Sequence, residues 1–74
     1  MGGIIEDKIF EALCGERLTV RAVQLGIENL RPAYSRAYAT LDKHLRKMTR
    51  LKQLEREKVN EVYVYWNPAM EGRK

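Results

Sequence analysis

The longest amphipathic segment of the chain lies between Pro32 and Arg50. On a helix of 100° per residue, five of its apolar side chains fall within about 40° of one line, as on the buried face of a helix. They are Tyr34, Tyr38, Leu41, Leu45 and Met48. The opposite side carries Arg36, Lys43, Lys47 and Arg50. We predict a helix, helix 3, over about residues 33–49, buried on one side and cationic on the other.

A first helix is predicted over about residues 3–14, because its apolar residues keep helical spacing. They include Ile5, Ile9, Ala12 and Leu13. Glu6 and Asp7 lie in its first turn, where the helix dipole favours acids. Gly15 stands where a left-handed residue commonly ends a helix. We interpret Cys14, in the last turn, as a small core residue.

A short second helix is predicted over about residues 19–26, with Thr19 as its N-cap and Gly26 at its end. Its β-branched residues give it weak intrinsic helix propensity. Packing against the other two helices must therefore stabilise it. Residues 16–18 offer a place for one short strand before it.

The chain after Arg50 is rich in strand-forming residues and predicts a β-hairpin over about residues 51–66. A three-residue loop would place Leu54 opposite Val64. The core face of the second strand would then carry Val62, Val64 and Trp66, with Tyr63 and Tyr65 on the other face. Pro68 ends the second strand, and residues 69–74 are expected to form a frayed basic tail.

A longer helix 3 is the alternative to this hairpin. No glycine or proline lies between residues 32 and 68, so helix 3 could continue past Thr49 through Lys58 and favour a helical oligomer. The next positions of the apolar stripe would then be Lys52 and Glu55, and the longer helix would lose its apolar face. The pattern therefore favours the hairpin.

The length of the chain limits the functions open to it. Seventy-four residues predict a single domain over residues 1–74, too small for a deep, dry active site. With one histidine and one cysteine, the chain offers no set of metal ligands and no catalytic group with a partner. We interpret His44 as a boundary residue beside the apolar stripe. We expect no enzyme activity, no catalytic or metal site and no cofactor.

Neither a signal peptide nor a membrane span is recognisable in the sequence. The first ten residues carry acids where a signal peptide has bases, and the apolar runs are too short to cross a bilayer. The single Cys14 fits a reducing compartment. We therefore expect a cytoplasmic protein with no membrane partner.

The formal net charge of +4 is concentrated in one part of the chain. Between residues 31 and 50, six bases stand against one acid, Asp42. A solvated helix face is the ordinary explanation for a run of charges, but few acids are spaced to pair with these bases. A local cationic field of this kind is more typical of a face that docks on an anionic partner.

The order of these elements resembles the winged helix-turn-helix family of DNA-binding domains. Residues 18–27, Leu-Thr-Val-Arg-Ala-Val-Gln-Leu-Gly-Ile, are similar to the second helix and turn of that family. Residues 34–41, Tyr-Ser-Arg-Ala-Tyr-Ala-Thr-Leu, resemble its recognition helix, and the hairpin resembles its wing. The likeness covers residues 4–67 and implies an α+β fold of three helices followed by a two-stranded wing. The turn before helix 3 is about two residues longer than usual in the family, and Thr49-Arg50 replaces the glycine that commonly follows the recognition helix.

The resemblance implies that helix 3 enters the major groove of double-stranded DNA. The residues expected to face the bases are Ser35, Arg36, Ala39, Thr40 and Lys43. The residues expected to contact phosphates are Arg31, Arg46, Lys47, Arg50 and, at the hairpin tip, Lys58.

The expected function is therefore that of a sequence-specific regulator of transcription, of the kind found in phages, plasmids and bacterial operons, acting at the nucleoid. A homodimer on DNA would supply specificity that one small module lacks. The alternative is a protein-interaction module, with an acidic partner on the basic helix and an aromatic contact surface. That surface would consist of Tyr63, Tyr65 and Trp66.

Overall fold

The computed structural model describes residues 4–69. Its elements, in chain order, are α1 (Ile4–Leu13), β1 (Leu18–Thr19), α2 (Val20–Leu30), a 3₁₀ turn (Pro32–Tyr34), α3 (Tyr38–Arg50), β2 (Glu55–Val59) and β3 (Val62–Trp66). The strands form one antiparallel sheet in the order β1-β3-β2. The fold is the expected α+β winged-helix arrangement, and β1 adds a third strand to the hairpin. The predicted helix start at residue 3 and the tail from residue 70 onward lie outside the described residues.

The hydrophobic core lies between the three helices and one face of the sheet. Its buried side chains are Ile9, Leu13, Val20, Val23, Ile27, Leu41, Leu45, Met48, Leu54 and Tyr65. No polar or charged residue is buried among the described residues. Apolar burial, which contributes about 25 cal/mol for each Å² removed from water, therefore stabilises this core.

The first helix ends in left-handed backbone. Gly15 has φ 78°, as predicted, and Cys14 before it has φ 46°. The Glu16 amide donates to the Leu13 carbonyl at 2.7 Å. Cys14 is exposed, so its interpretation as a core residue was wrong. At about 100° per residue, position 14 falls about 100° from Leu13 and about 140° from Ile9, away from the buried face of α1.

The second helix begins at the predicted cap and runs four residues past its predicted end. The Thr19 side chain accepts a hydrogen bond from the Ala22 amide at 3.2 Å. Gly26 lies inside the helix, where a Cβ would stand 3.3 Å from the Cβ of Ala12 on α1. The glycine therefore allows α1 and α2 to approach closely instead of ending α2, and Ile27 continues the buried face.

The start of the third helix differs most from its prediction. Pro32 opens a 3₁₀ turn, the chain is extended at Ser35 and Ala37, and α3 begins at Tyr38 instead of near residue 33. The Gln24 side-chain amide donates to the Arg36 carbonyl at 3.0 Å and ties this extended segment to α2. The predicted stripe therefore combines two elements.

The two tyrosines of the stripe consequently have different environments. Tyr34 is half-buried and packs on the core from the 3₁₀ turn. Tyr38, in the first turn of α3, is 52% exposed, so its predicted place in the core was wrong. Leu41, Leu45 and Met48 are buried as predicted.

The third helix stops at Arg50 without a glycine, close to its predicted end. Lys52 adopts φ 68° and takes the left-handed position. Its amide donates to the Thr49 carbonyl at 3.0 Å, and the Gln53 amide donates to the Met48 carbonyl at 2.9 Å. This pair of hydrogen bonds is the Schellman motif. The alternative of a helix continuing through Lys58 was wrong, because these bonds turn the chain into β2.

A substitution at Lys52 tests this helix end. Left-handed backbone costs a residue with a Cβ about 1 kcal/mol. Lys52→Gly is therefore expected to raise the free energy of unfolding by about 0.5–1 kcal/mol. Lys52→Ala keeps the Cβ while removing the charge, and it should leave stability nearly unchanged. Urea unfolding of both variants measures the difference, and equal midpoints would contradict this explanation.

A two-residue turn, instead of the predicted three-residue loop, joins β2 to β3. Asn60 and Glu61 both have positive φ, 50° and 71°, as in the type I′ turn whose twist matches a hairpin. The shorter turn pairs Glu57 with Val64, so the predicted pair of Leu54 with Val64 was wrong.

The hairpin faces are exchanged relative to the prediction, because alternate residues of a strand point to opposite faces. Tyr65 is 1% exposed and belongs to the core, whereas Trp66 is half-buried and Val62 is exposed. Tyr63 is 40% exposed. Leu54, just ahead of β2, is buried as expected.

Candidate nucleic-acid interface

The exposed side of α3 forms a continuous polar and cationic surface, which we call the cationic face. It exists because the other side of the same helix is anchored in the core by Leu41, Leu45 and Met48. At 100° per residue, the centre of the exposed side falls near Lys43 and Arg50. The cationic face consists of Ala39, Thr40, Lys43, Arg46, Lys47 and Arg50, all of them exposed.

The cations of this face are mostly not paired with acids. Asp42 lies 3.2 Å from Arg46 and partly neutralises it. Within residues 4–69, no acid lies within ion-pair distance of Lys43, Lys47 or Arg50. Lys47 and Arg50 occupy the last turn of α3, where the helix dipole stabilises positive charge. The remaining positive charge is available to an external anion.

Two of the predicted base-facing residues do not lie on α3. Ser35 and Arg36 precede the helix in the extended segment, Ser35 half-buried and Arg36 exposed. The Arg36 guanidinium donates to the Ser35 carbonyl at 2.8 Å, which folds the side chain back on its own backbone. Their prediction as residues of the recognition helix was therefore wrong. The physical reason is the 3₁₀ turn at Pro32.

Two predicted phosphate-facing residues lie off the cationic face. Arg31 follows α2, and its Nε is 3.5 Å from a carboxylate oxygen of Glu11 on α1. Lys58 is exposed on β2 opposite Tyr63, one residue pair away from the turn. The hairpin tip itself consists of Asn60 and Glu61, so the predicted place of Lys58 at the tip was wrong.

A groove between α3 and the hairpin continues the cationic face. It has a volume of about 490 Å³ and is lined by Arg46, Thr49, Arg50, Arg56 and Tyr63. The Arg56 guanidinium carbon lies 4.1 Å from the centre of the Tyr63 ring, as in a cation–π contact. Interaction with the neighbouring Tyr65 side chain raises the pKa of Arg56 above its ordinary value. This arginine therefore remains charged.

Arg56 is not among the contact residues predicted from the sequence. The predicted register did not bring Arg56 beside Tyr63. In the observed register Arg56 pairs with Tyr65, and Arg56 and Tyr63 lie on the face of the sheet that is directed toward α3. The available signal was the alternation along β2, where Arg56 and Lys58 share one face and Glu55 and Glu57 share the other.

The outer face of the sheet has a separate arrangement of its own. Arg17 stacks on Trp66, with the guanidinium carbon 3.9 Å from the ring centre, and donates to Glu57 at 3.0 Å. This stack resembles that of Arg56 on Tyr63 but lies on the opposite face of the sheet, because residues 63 and 66 of β3 point to opposite faces. Arg17 therefore offers a matched control for Arg56.

His44 joins α1 to α3 at the boundary of the core. Its Nδ1 lies 3.0 Å from a carboxylate oxygen of Glu6, and both side chains are partly exposed. Within the described part of the chain, no group of three His, Cys, Asp or Glu side chains is placed to hold a metal ion. No helix of residues 4–69 combines the length and apolarity needed to cross a membrane.

The fold and the cationic face together define a winged-helix arrangement with an exposed basic helix. Comparison with known proteins found no match to this chain among family models, curated proteins or solved structures.

Proposed function

We propose that this protein binds double-stranded DNA by placing the cationic face of α3 in the major groove. The single observation that carries the proposal is the set of cations on α3 that have no acidic partner among the described residues. The major groove is about 12 Å wide and admits one α-helix. It is lined by phosphates and presents acceptor atoms of guanine to lysine and arginine.

The proposed base-reading residues are Ala39, Thr40 and Lys43, in the first two turns of α3. Recognition helices of this arrangement contact bases mainly with their N-terminal turns. Small side chains such as Ala39 allow close approach to the base edges, and Lys43 is long enough to donate to guanine. Arg36 lies just ahead of α3, and in this proposal it contacts the DNA backbone beside the bases that α3 reads.

The proposed phosphate contacts are Arg46, Lys47 and Arg50, nearer the C-terminal end of α3. Contacts of this type give affinity and register without sequence preference. Arg31 and Lys58 lie off this face and are proposed to add long-range attraction only. A single module of this size contacts roughly 600–1,000 Å² of DNA surface, so we propose that sequence-specific occupancy uses a homodimer or a repeated site.

In this proposal the protein is a regulator of transcription that acts by occupying its DNA site, in the cytoplasm at the nucleoid. The test is a selection of bound sequences from random duplex DNA at near-physiological salt, followed by titration of the selected duplex by fluorescence anisotropy. A recurring sequence should be enriched. The affinity should fall with salt at a logarithmic slope of about −0.9 per phosphate contact. No enrichment together with a flat salt dependence would contradict the proposal.

A protein-interaction module is the second candidate, favoured by exposed apolar side chains beside the cationic face. Tyr38, Val62 and Tyr63 are 52%, 48% and 40% exposed and help to line one groove. Tyrosine side chains such as Tyr38 and Tyr63 commonly act as contact residues in protein interfaces. Capture of one defined protein with an acidic binding surface, unaffected by nuclease treatment, would support this candidate over DNA binding.

A further inference from the structure

The groove between α3 and the hairpin brings three arginines together from two elements. Arg46 and Arg50 stand one helical turn apart on α3, and Arg56 reaches the groove from β2. Tyr63 and Thr49 complete the lining. Guanidinium groups present planar sets of N–H donors that match the oxygens of phosphates and carboxylates. The groove is therefore suited to an oxyanion.

Arg56 is held in place before any ligand binds. Its guanidinium stacks on Tyr63, and across the strands it pairs with Tyr65, which is anchored in the core. An arginine side chain fixed in this way loses less conformational entropy on binding an anion than a mobile arginine side chain would lose.

The local charge balance also favours an anion. Asp42 pairs with Arg46 and also attracts Arg56 from beyond ion-pair distance, and in residues 4–69 no acid forms an ion pair with Arg50 or Arg56. The C-terminal end of α3 contributes partial negative charge and opposes anion binding by itself. Two guanidinium groups without an ion-pair partner exceed that opposing partial charge.

We propose that this groove binds one backbone phosphate of the DNA duplex whose bases α3 contacts. The proposal rests on the proposed function. The two unesterified oxygens of the phosphodiester accept hydrogen bonds from Arg50 and Arg56, and the Tyr63 ring forms one wall of the groove. The hairpin contact is thereby assigned to Arg56 in the strand, instead of to Lys58 nearer the turn. The DNA backbone passes between the end of α3 and the sheet.

The first test compares Arg56→Ala with Arg17→Ala on the selected duplex. Each variant removes one positive charge and one arginine–aromatic stack from the same sheet, on opposite faces. Arg56→Ala should weaken binding about tenfold and reduce the logarithmic salt slope by about 0.9. Arg17→Ala should change affinity less than about twofold, because it lies off the binding face. Equal effects of the two variants would overturn the proposal.

A conservative variant separates a structured phosphate site from general charge. Arg56→Lys keeps the positive charge but loses the planar pair of donors and the ring stacking. It should keep the parental salt slope while binding about threefold more weakly. Parental affinity in Arg56→Lys would mean that only charge matters at this position, and it would overturn the structured site. Thermal unfolding of all three variants shows whether each remains folded at the assay temperature.

A neutral backbone substitution identifies the phosphate itself. Duplexes that carry one methylphosphonate at each successive position are titrated with the parent protein and with Arg56→Ala. At one position the substitution should weaken the parent more than it weakens Arg56→Ala, because the Arg56 contact is already absent from the variant and only the Arg50 contact remains to be lost. Strictly additive losses at every position would overturn the assignment to a backbone phosphate.

A parallel titration with inorganic phosphate tests whether the groove binds a free anion instead of a DNA phosphate. The arginine Nε–H signals are monitored by NMR during this titration. Saturable binding of phosphate, combined with unchanged DNA affinity in Arg56→Ala, would assign the groove to a free ligand and overturn the proposal. If the parent protein binds no duplex at all, the proposed function fails and this inference fails with it. If the parent binds and only the Arg56 effects are absent, this inference alone fails.

Discussion

Replacing Lys43 and Lys47 together by alanine is expected to weaken binding to the selected duplex about 100-fold at roughly 0.1 M salt. Both side chains lie on the cationic face of α3, and neither is within ion-pair distance of an acid among the described residues. Their removal deletes one proposed base contact and one proposed phosphate contact. The logarithmic salt slope should fall by about 0.9 for each phosphate contact that is lost.

The matched control removes two cations from other surfaces. Lys8, on α1, lies over the Tyr34 ring, and Arg17 stacks on Trp66 at the outer face of the sheet. Lys8→Ala with Arg17→Ala lowers the net charge by the same amount, so long-range attraction changes equally in both proteins. Anisotropy titrations of both double variants at two salt concentrations measure the difference. If the two bind with the same affinity, the cationic face of α3 is not the contact surface.

Leu45→Ala is expected to have the largest effect on stability. Leu45 is 0% exposed, near the middle of α3, and belongs to the hydrophobic core described above. Truncating a fully buried leucine costs about 2–5 kcal/mol. Small domains have total stabilities near 5 kcal/mol. The variant should therefore be largely or wholly unfolded at 37 °C.

An exposed leucine supplies the comparison for this substitution. Leu30, at the end of α2, is 59% exposed. Leu30→Ala should change the free energy of unfolding by no more than about 0.5 kcal/mol. Thermal unfolding followed by far-ultraviolet circular dichroism gives both values. If Leu45→Ala melts within a few degrees of Leu30→Ala, the buried face of α3 has been assigned incorrectly.

The features that could be predicted from the sequence are those decided by local pattern. The spacing of Leu41, Leu45 and Met48 predicts the buried face of α3, and Thr19 predicts the start of α2, because periodicity and capping act over a few residues. The end of α3 was predicted correctly for a related reason. The apolar stripe stops after Met48, although Lys52 takes the place of the usual glycine.

Other features could not be predicted because they depend on contacts between distant elements. Gly26 has the sequence appearance of a helix end, but its role is set by Ala12 on another helix. The extended segment before α3 is held by Gln24 from α2. Which side chains of the hairpin face the core depends on a turn of two residues instead of three. A register shift of one residue moves every side chain of a strand to the other face of the sheet.

Only part of the candidate site could be predicted from the sequence, for the same reasons. Lys43, Lys47 and Arg50 lie within one helix, where their shared face follows from spacing alone. Ser35 and Arg36 were assigned to that helix because the 3₁₀ turn at Pro32 was not anticipated. Arg56 joins the groove only through the register of the sheet, which brings Tyr63 and α3 beside it.

Dimethyl sulfate probing of the selected duplex tests the placement of α3 most directly. The reagent methylates guanine N7 in the major groove and adenine N3 in the minor groove, so it reports which groove is occupied. The proposed function predicts protection of guanine N7 in the selected site by the parent protein, with adenine N3 still reactive, and loss of that protection in Lys43→Ala. Full reactivity of guanine N7 at saturating protein would contradict the placement of α3 in the major groove.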